Sequence, residues 1–121
     1  MKLQTRFIFP DDAIAVGTLT VDDEKSIDDE KVYEKAAEFL GQTPGTADVL
    51  IEPISASWPS HTLDKNGQPE TSLKRALYLV DQEGIAKQLR YNFIASLILN
   101  STYGFPSVLY GKVMVVWEED E

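Results

Sequence analysis

His61 is the only histidine of the chain and stands in Trp58-Pro59-Ser60-His61-Thr62-Leu63-Asp64, with Ser57 just upstream. Histidine, serine and aspartate are the residue types of nucleophilic catalysis. That chemistry needs them as a hydrogen-bonded series of nucleophile, base and orienting acid. No strand-to-helix nucleophile elbow surrounds these serines. There is no cysteine, so zinc could be held only if carboxylates completed the ligand set around one imidazole. His61 is read as an exposed loop histidine, and neither a catalytic residue nor a metal ligand is assigned.

Carboxylates are the other candidates. Asp22-Asp23-Glu24 and Asp28-Asp29-Glu30 suggest calcium, but an EF-hand loop opening at Asp22 needs glycine sixth and glutamate twelfth. The chain has Ile27 and Tyr33 there. The acids instead suit the start of a helix, where carboxylates face the positive end of the dipole. A pair for glycosidic acid–base work is not singled out, because most of the acids stand in charge runs that are normally solvated. Glycine-rich nucleotide loops and HExxH are absent from the sequence, and no cofactor is implied.

The charge is localised. Net charge is −9, and residues 11–38 hold ten acids against three bases, while residues 118–121 are all acidic. Such a balance disfavours direct binding to nucleic acid or to an anionic membrane and permits a partner with a basic surface. Asp22, Asp23, Glu24, Asp28, Asp29, Glu30, Glu34 and Glu38 are the candidate contacts for that partner. Glu30, Glu34 and Glu38 recur at every fourth residue and so line one helix face. Among the aromatics, Trp58, Tyr103 and Phe105 fall in expected loops, where a large ring is either tucked in or used for contact. They are the candidates for a small-ligand pocket.

These residues must be carried by a folded domain. The 121 residues are 43% hydrophobic, the composition of one globular unit that needs no disulfide or metal. The apolar runs are too short for a membrane span and the charged N-terminus does not read as a secretory signal; a cytoplasmic protein is expected. Leu3–Phe9 and Ala13–Val21 read as strands, the second bulged at Gly17. An acidic helical segment covers about 22–40, capped by Ser26 and stopped by Gly41. Ala47–Ile54 reads as a strand with an edge signal at Pro53. Residues 55–75 read as a long loop, or as a short hairpin turning at Asn66-Gly67.

The core is expected in residues 76–117: strand Ala76–Val80, turn Asp81–Gly84, a helix Phe93–Ser101 capped by Asn92, and strand Val108–Trp117 with Gly111 as a bulge. Phe93, Ile94, Leu97, Ile98 and Leu99 leave that helix little polar surface, which predicts a central position. The whole predicts an α+β domain, with a mixed or mostly antiparallel sheet of four to six strands and two helices packed on it.

The motifs Tyr78-Leu79-Val80-Asp81-Gln82-Glu83-Gly84, Asn92-Phe93-Ile94-Ala95 and Gly111-Lys112-Val113-Met114-Val115-Val116 together resemble a family of small proteins of phages, plasmids and other bacterial mobile elements, a family without an assigned activity. Val32–Gly41 followed by Val49–Glu52 is a weaker likeness. In that family a proline tends to precede the capping asparagine, where this chain has Tyr91. The resemblance implies a mobile-element origin. The reading that follows is a non-enzymatic phage or mobile-element accessory protein that binds a host protein, in its sharper form an acidic inhibitor or nucleic-acid mimic. The alternatives are a small-ligand-binding module and, third, an enzyme.

Overall fold

Two stretches, Ala76–Val80 and Val113–Trp117, are apolar at every position rather than at every second one. A strand of that kind must be covered on both faces, and the computed structural model shows how. It describes residues 2–22, 27, 29–42, 50–103 and 107–118. The elements run β1 (Lys2–Ile8), β2 (Ile14–Thr20), α1 (Glu30–Leu40), β3 (Ile51–Leu63), β4 (Pro69–Asp81), α2 (Phe93–Tyr103) and β5 (Val113–Glu118). One antiparallel sheet has the order β2-β1-β5-β4-β3. The described residues form a single α+β domain with five strands and two helices.

The helices take opposite faces. Val32 and Ala36 of α1 pack with Leu3, Leu77, Leu79, Met114 and Val116. Ala95 and Leu99 of α2 pack with Ile8, Tyr78, Val80, Val113, Val115 and Trp117. Adjacent residues of β4 and β5 therefore enter two different cores, which is why both strands lack polar alternation. The outer strands are covered less. β2 alternates between exposed and half-buried, and its pairing with β1 is continuous through Thr5↔Gly17. The bulge expected at Gly17 does not occur. A Cβ there would lie 2.9 Å from Thr5 Oγ1, so glycine serves a close side-chain approach instead.

Residues 55–75 are not a loop. β3 and β4 pair without interruption from Ile51↔Asp81 to Leu63↔Pro69. Among the described residues β5 meets β4 only over Ala76–Val80. Beyond that contact the hairpin continues as a two-stranded arm. It turns through Asp64–Gln68, where Asp64 Oδ1 accepts from Asn66 N (2.8 Å) and Gln68 N (2.9 Å). Gly67 adopts φ 77°, which only glycine takes without strain. The turn signal at Asn66-Gly67 is correct; the hairpin is long rather than short. Pro53 and Pro59 are tolerated because β3 is an edge strand, where a missing N–H need not break a ladder.

Other boundaries also shift. Asp29, not Ser26, caps α1, its side chain accepting from Lys31 N at 2.7 Å; Ser26 lies outside the described residues. Gly41 ends the helix in a left-handed conformation with its N–H on Glu38 O, and Gln42 N bonds Ala37 O, a Schellman-type stop. The Gln42 side chain then pairs with both backbone groups of Leu50 (2.7 and 3.1 Å), which brings β3 in beside the end of α1. β3 starts at Ile51; residues 47–49 of the expected strand lie outside the described residues. β5 starts at Val113, not Val108, because Gly111 (φ 79°) turns the chain first.

Tyr78 ties three elements together. Its hydroxyl donates to Ser57 O on β3 (2.7 Å), and Thr102 Oγ1 of α2 donates to the same carbonyl (3.0 Å). Burial pushes the phenol up to about 12, against a smaller downward pull from its hydrogen bond with Thr102. A raised folded-state pKa means that the stabilisation is whole below the unfolded value near 10 and is lost as pH rises towards 12. Equilibrium unfolding followed between these pH values should show a steep loss for the parent. Tyr78→Phe should be flatter over the same range, at about 1 kcal/mol lower stability at neutral pH.

Candidate protein-binding surface

Over Phe93–Leu99 helix α2 is apolar except at Ser96, yet it is not buried all round. Ala95, Ser96 and Leu99 face the sheet, whereas Phe93 is 51% and Leu97 53% exposed. The expectation of a central helix is thus half right: one side enters the core and the other carries large apolar side chains into water. The reason lies in what precedes it. Tyr91 makes a single antiparallel bridge with Tyr110, and Asn92 N bonds Leu109 O at 2.8 Å. These contacts hold the start of α2 against the approach to β5.

The exposed rings of Tyr91 and Phe93 form a continuous strip with the half-buried Tyr110. Tyr110 and Tyr91 meet at 6.1 Å and Tyr91 and Phe93 at 6.4 Å, both near edge-to-face. Leu97 follows Phe93 one helical turn on, on the same side. At the other end Tyr110 lines a cleft of about 430 Å³ with Ile85, Val108, Glu52 and Glu83. Ile85 and Val108 are 75% and 57% exposed. Aromatic rings fixed on rigid elements and bordered by a cleft have the composition that concentrates binding energy in protein contacts.

Asp81 sits at the floor of this cleft. Burial alone would raise its pKa; hydrogen bonds from Lys87 and from Glu83 N, with the Lys87 charge, outweigh that and lower it. The Lys87 ammonium is 2.7 Å from Asp81 Oδ2. Both charges are thereby engaged in holding the turn after β4. Glu52 and Glu83 are exposed on the cleft's rim, so the charge offered outward there is acidic.

The residues singled out from the sequence are dispersed. Glu30, Glu34 and Glu38 do stand exposed on α1, with Lys35 3.9 Å from Glu38, and Asp29 is used as the cap. Asp22 is exposed at the end of β2. Asp23, Glu24 and Asp28 lie outside the described residues, as does Phe105. α1 and the aromatic strip belong to opposite faces of the sheet.

Trp58 is not a loop residue. It projects from β3 and stacks on Trp117 at 5.0 Å and 12°, while the Arg6 guanidinium lies 4.7 Å over the Trp117 ring. Tyr103 ends α2, and its side chain is outside the described residues. Of the candidates for a small-ligand pocket, Trp58 thus has a protein ring, Trp117, stacked on its own.

His61 also stands on β3, exposed, with Nδ1 3.0 Å from Thr71 Oγ1 across the hairpin. Asp64, its candidate orienting acid, is engaged by the turn. Among the described residues no three His, Cys, Asp or Glu side chains gather closely enough to hold a metal ion, and no helix is long and apolar enough to cross a membrane.

The strip could not be found by residue type alone. Its sequence signal is the largely apolar run Phe93–Leu99 flanked by Tyr91 and Tyr110, and that same signal reads as burial. Compared with protein-family models, curated proteins and solved structures, the chain finds no match.

Proposed function

We propose that this protein acts by binding another protein rather than by chemistry on a substrate. The contact surface is the strip Tyr110–Tyr91–Phe93–Leu97 with the adjoining cleft. The observation that carries the reading is the exposure of Phe93 and Leu97 on a helix whose opposite side is firmly packed. Contiguous apolar exposure of this kind is uncommon on a soluble surface without a partner. The partner offers an apolar anchor for the cleft beside Tyr110 and a basic group for Glu52 and Glu83. In the setting implied by the mobile-element resemblance, the protein is an accessory factor and the partner belongs to the host.

The test compares capture by the parent chain with capture by a Tyr91→Ala/Phe93→Ser double variant and by a Glu30→Lys/Glu34→Lys/Glu38→Lys triple variant. All five positions are exposed, so both variants should fold. A partner recognised through the strip should bind the first variant at least tenfold more weakly, about 1.4 kcal/mol or more, and the second nearly as well as the parent. Its capture should survive raised salt, since apolar contacts are not screened. The reverse pattern, loss on α1 charge reversal and at high salt, would transfer the function to the acidic helix and favour the nucleic-acid-mimic form of the proposal.

A further inference from the structure

The two edges of the sheet are unlike. β3 carries Pro53 and Pro59, which spoil an edge for further pairing. β2 is Ile-Ala-Val-Gly-Thr-Leu-Thr, with neither charge nor proline, and among the described residues it pairs with β1 alone. On the face away from α1, Ile14 and Val16 are 46% and 69% exposed, and on the α1 face Ala15 is exposed while Gly17 and Leu19 are half-buried. A strand with free backbone groups and no protective charge is the type of edge that accepts another strand.

Beside this edge, on the α1 face, lies a groove of about 290 Å³ lined by Phe7, Phe9, Ala15, Lys35, Glu38 and Phe39. Phe39 of α1 meets Phe7 at 4.8 Å and Phe9 at 5.3 Å, both edge-on. The Phe7 ring leans towards the edge, since a Cβ on Gly17 would be 3.3 Å from Phe7 Cε2. Ala15 is paired with Phe7, so a residue added opposite Ala15 would direct its side chain towards the groove. Lys35 and Glu38 on its rim offset one another at 3.9 Å.

Charge decides between the occupants. β2 is bounded by exposed Asp11 and Asp12 before it and exposed Asp22 after it. A second copy paired antiparallel about Gly17 would set Asp12 of each chain opposite Asp22 of the other, twice. A parallel pair would set each aspartate beside itself. Like charges directly opposite oppose pairing. We propose that the β2 edge and the Phe7–Phe9–Phe39 groove bind an extended apolar segment of a partner protein with basic residues at both of its ends. Backbone pairing supplies the strand, an aromatic or large aliphatic residue fills the groove, and the flanking bases meet Asp11, Asp12 and Asp22. This site is on the opposite side of the sheet from the aromatic strip, and it stands whether or not the strip is used.

The probe is a short synthetic peptide of alternating valine and threonine with a central phenylalanine and two lysines at each end. Its binding to the full chain is followed by fluorescence anisotropy and by backbone amide shifts. Shifts should concentrate on Ile14–Thr20 and Phe39 and leave Tyr91–Leu97 unmoved. A glutamate-ended peptide, and one N-methylated at alternate central residues, should each bind at least tenfold more weakly. Asp12→Asn/Asp22→Asn, at exposed positions, should narrow the preference for lysine ends. The proposal is overturned by equal affinity for the two charged forms, by unimpaired binding of the N-methylated peptide, by shifts mapping elsewhere, or by no binding. Dimerisation of the free protein through β2 would also overturn it in favour of a second copy.

Discussion

Asn92→Ala should cost the fold about 3–7 kcal/mol, a large share of the 5–15 kcal/mol available to a domain of this kind. Asn92 is fully buried. Its Oδ1 accepts from Ala95 N at 3.1 Å and caps α2. Its Nδ2 donates to Ile8 O at 3.0 Å and to Gly111 O at 2.8 Å. One side chain thus joins the end of β1, the start of α2 and the approach to β5. Alanine removes the cap, worth about 1 kcal/mol, and strands two buried carbonyls at about 1–3 kcal/mol each. Asn92→Asp isolates the second contribution. It keeps the cap acceptor but turns both donors into acceptors facing carbonyls, and at neutral pH it should be at least as damaging as alanine. Urea unfolding should show a lowered midpoint with an unchanged slope. A loss below about 1 kcal/mol for alanine would mean that the two carbonyls find other donors.

Trp117→Ala should destabilise by about 3–5 kcal/mol. Trp117 is 4% exposed and belongs to the core beneath α2. Trp58 on β3 stacks on it and Arg6 on β1 covers its ring. Trp58→Ala should cost less, because Trp58 is only partly buried. The double variant should reveal a coupling of about 0.5–1.5 kcal/mol between the rings. Since the two tryptophans of the chain form this one stack, tryptophan fluorescence reports on its packing. Additivity within error, together with quenching of the parent by a small metabolite, would restore a ligand role to Trp58.

Several elements follow from local chemistry alone. Lys2–Ile8 and Ile14–Thr20 are legible as strands, Glu30–Leu40 as an amphipathic helix with its stop at Gly41, and Asn92 as the cap of the next helix. Each depends on interactions within a few residues, which a sequence displays directly. The hairpin arm is illegible for the opposite reason. From His61 to Thr71 the described side chains are exposed on both faces but for the half-buried turn residue Asp64, so no apolar alternation marks the strands, and their backbone pairing is long-range. Pro59 then reads as a loop signal unless the strand is known to be an edge.

The sequence by itself determined that an α+β domain forms, with the Asn92 cap of α2, the stop of α1 at Gly41, the Asn66-Gly67 turn and the localised acidity, since composition, period and turn chemistry are properties of neighbouring residues. Only the tertiary structure decided which apolar residues stay outside. Phe93 and Leu97 differ from Ala95 and Leu99 only in the side of α2 on which they stand. Trp58 is stacked on Trp117, fifty-nine residues away. β2 is an edge because the strand order ends there. Each of these outcomes depends on which distant segments share a face, and that information is absent from local sequence.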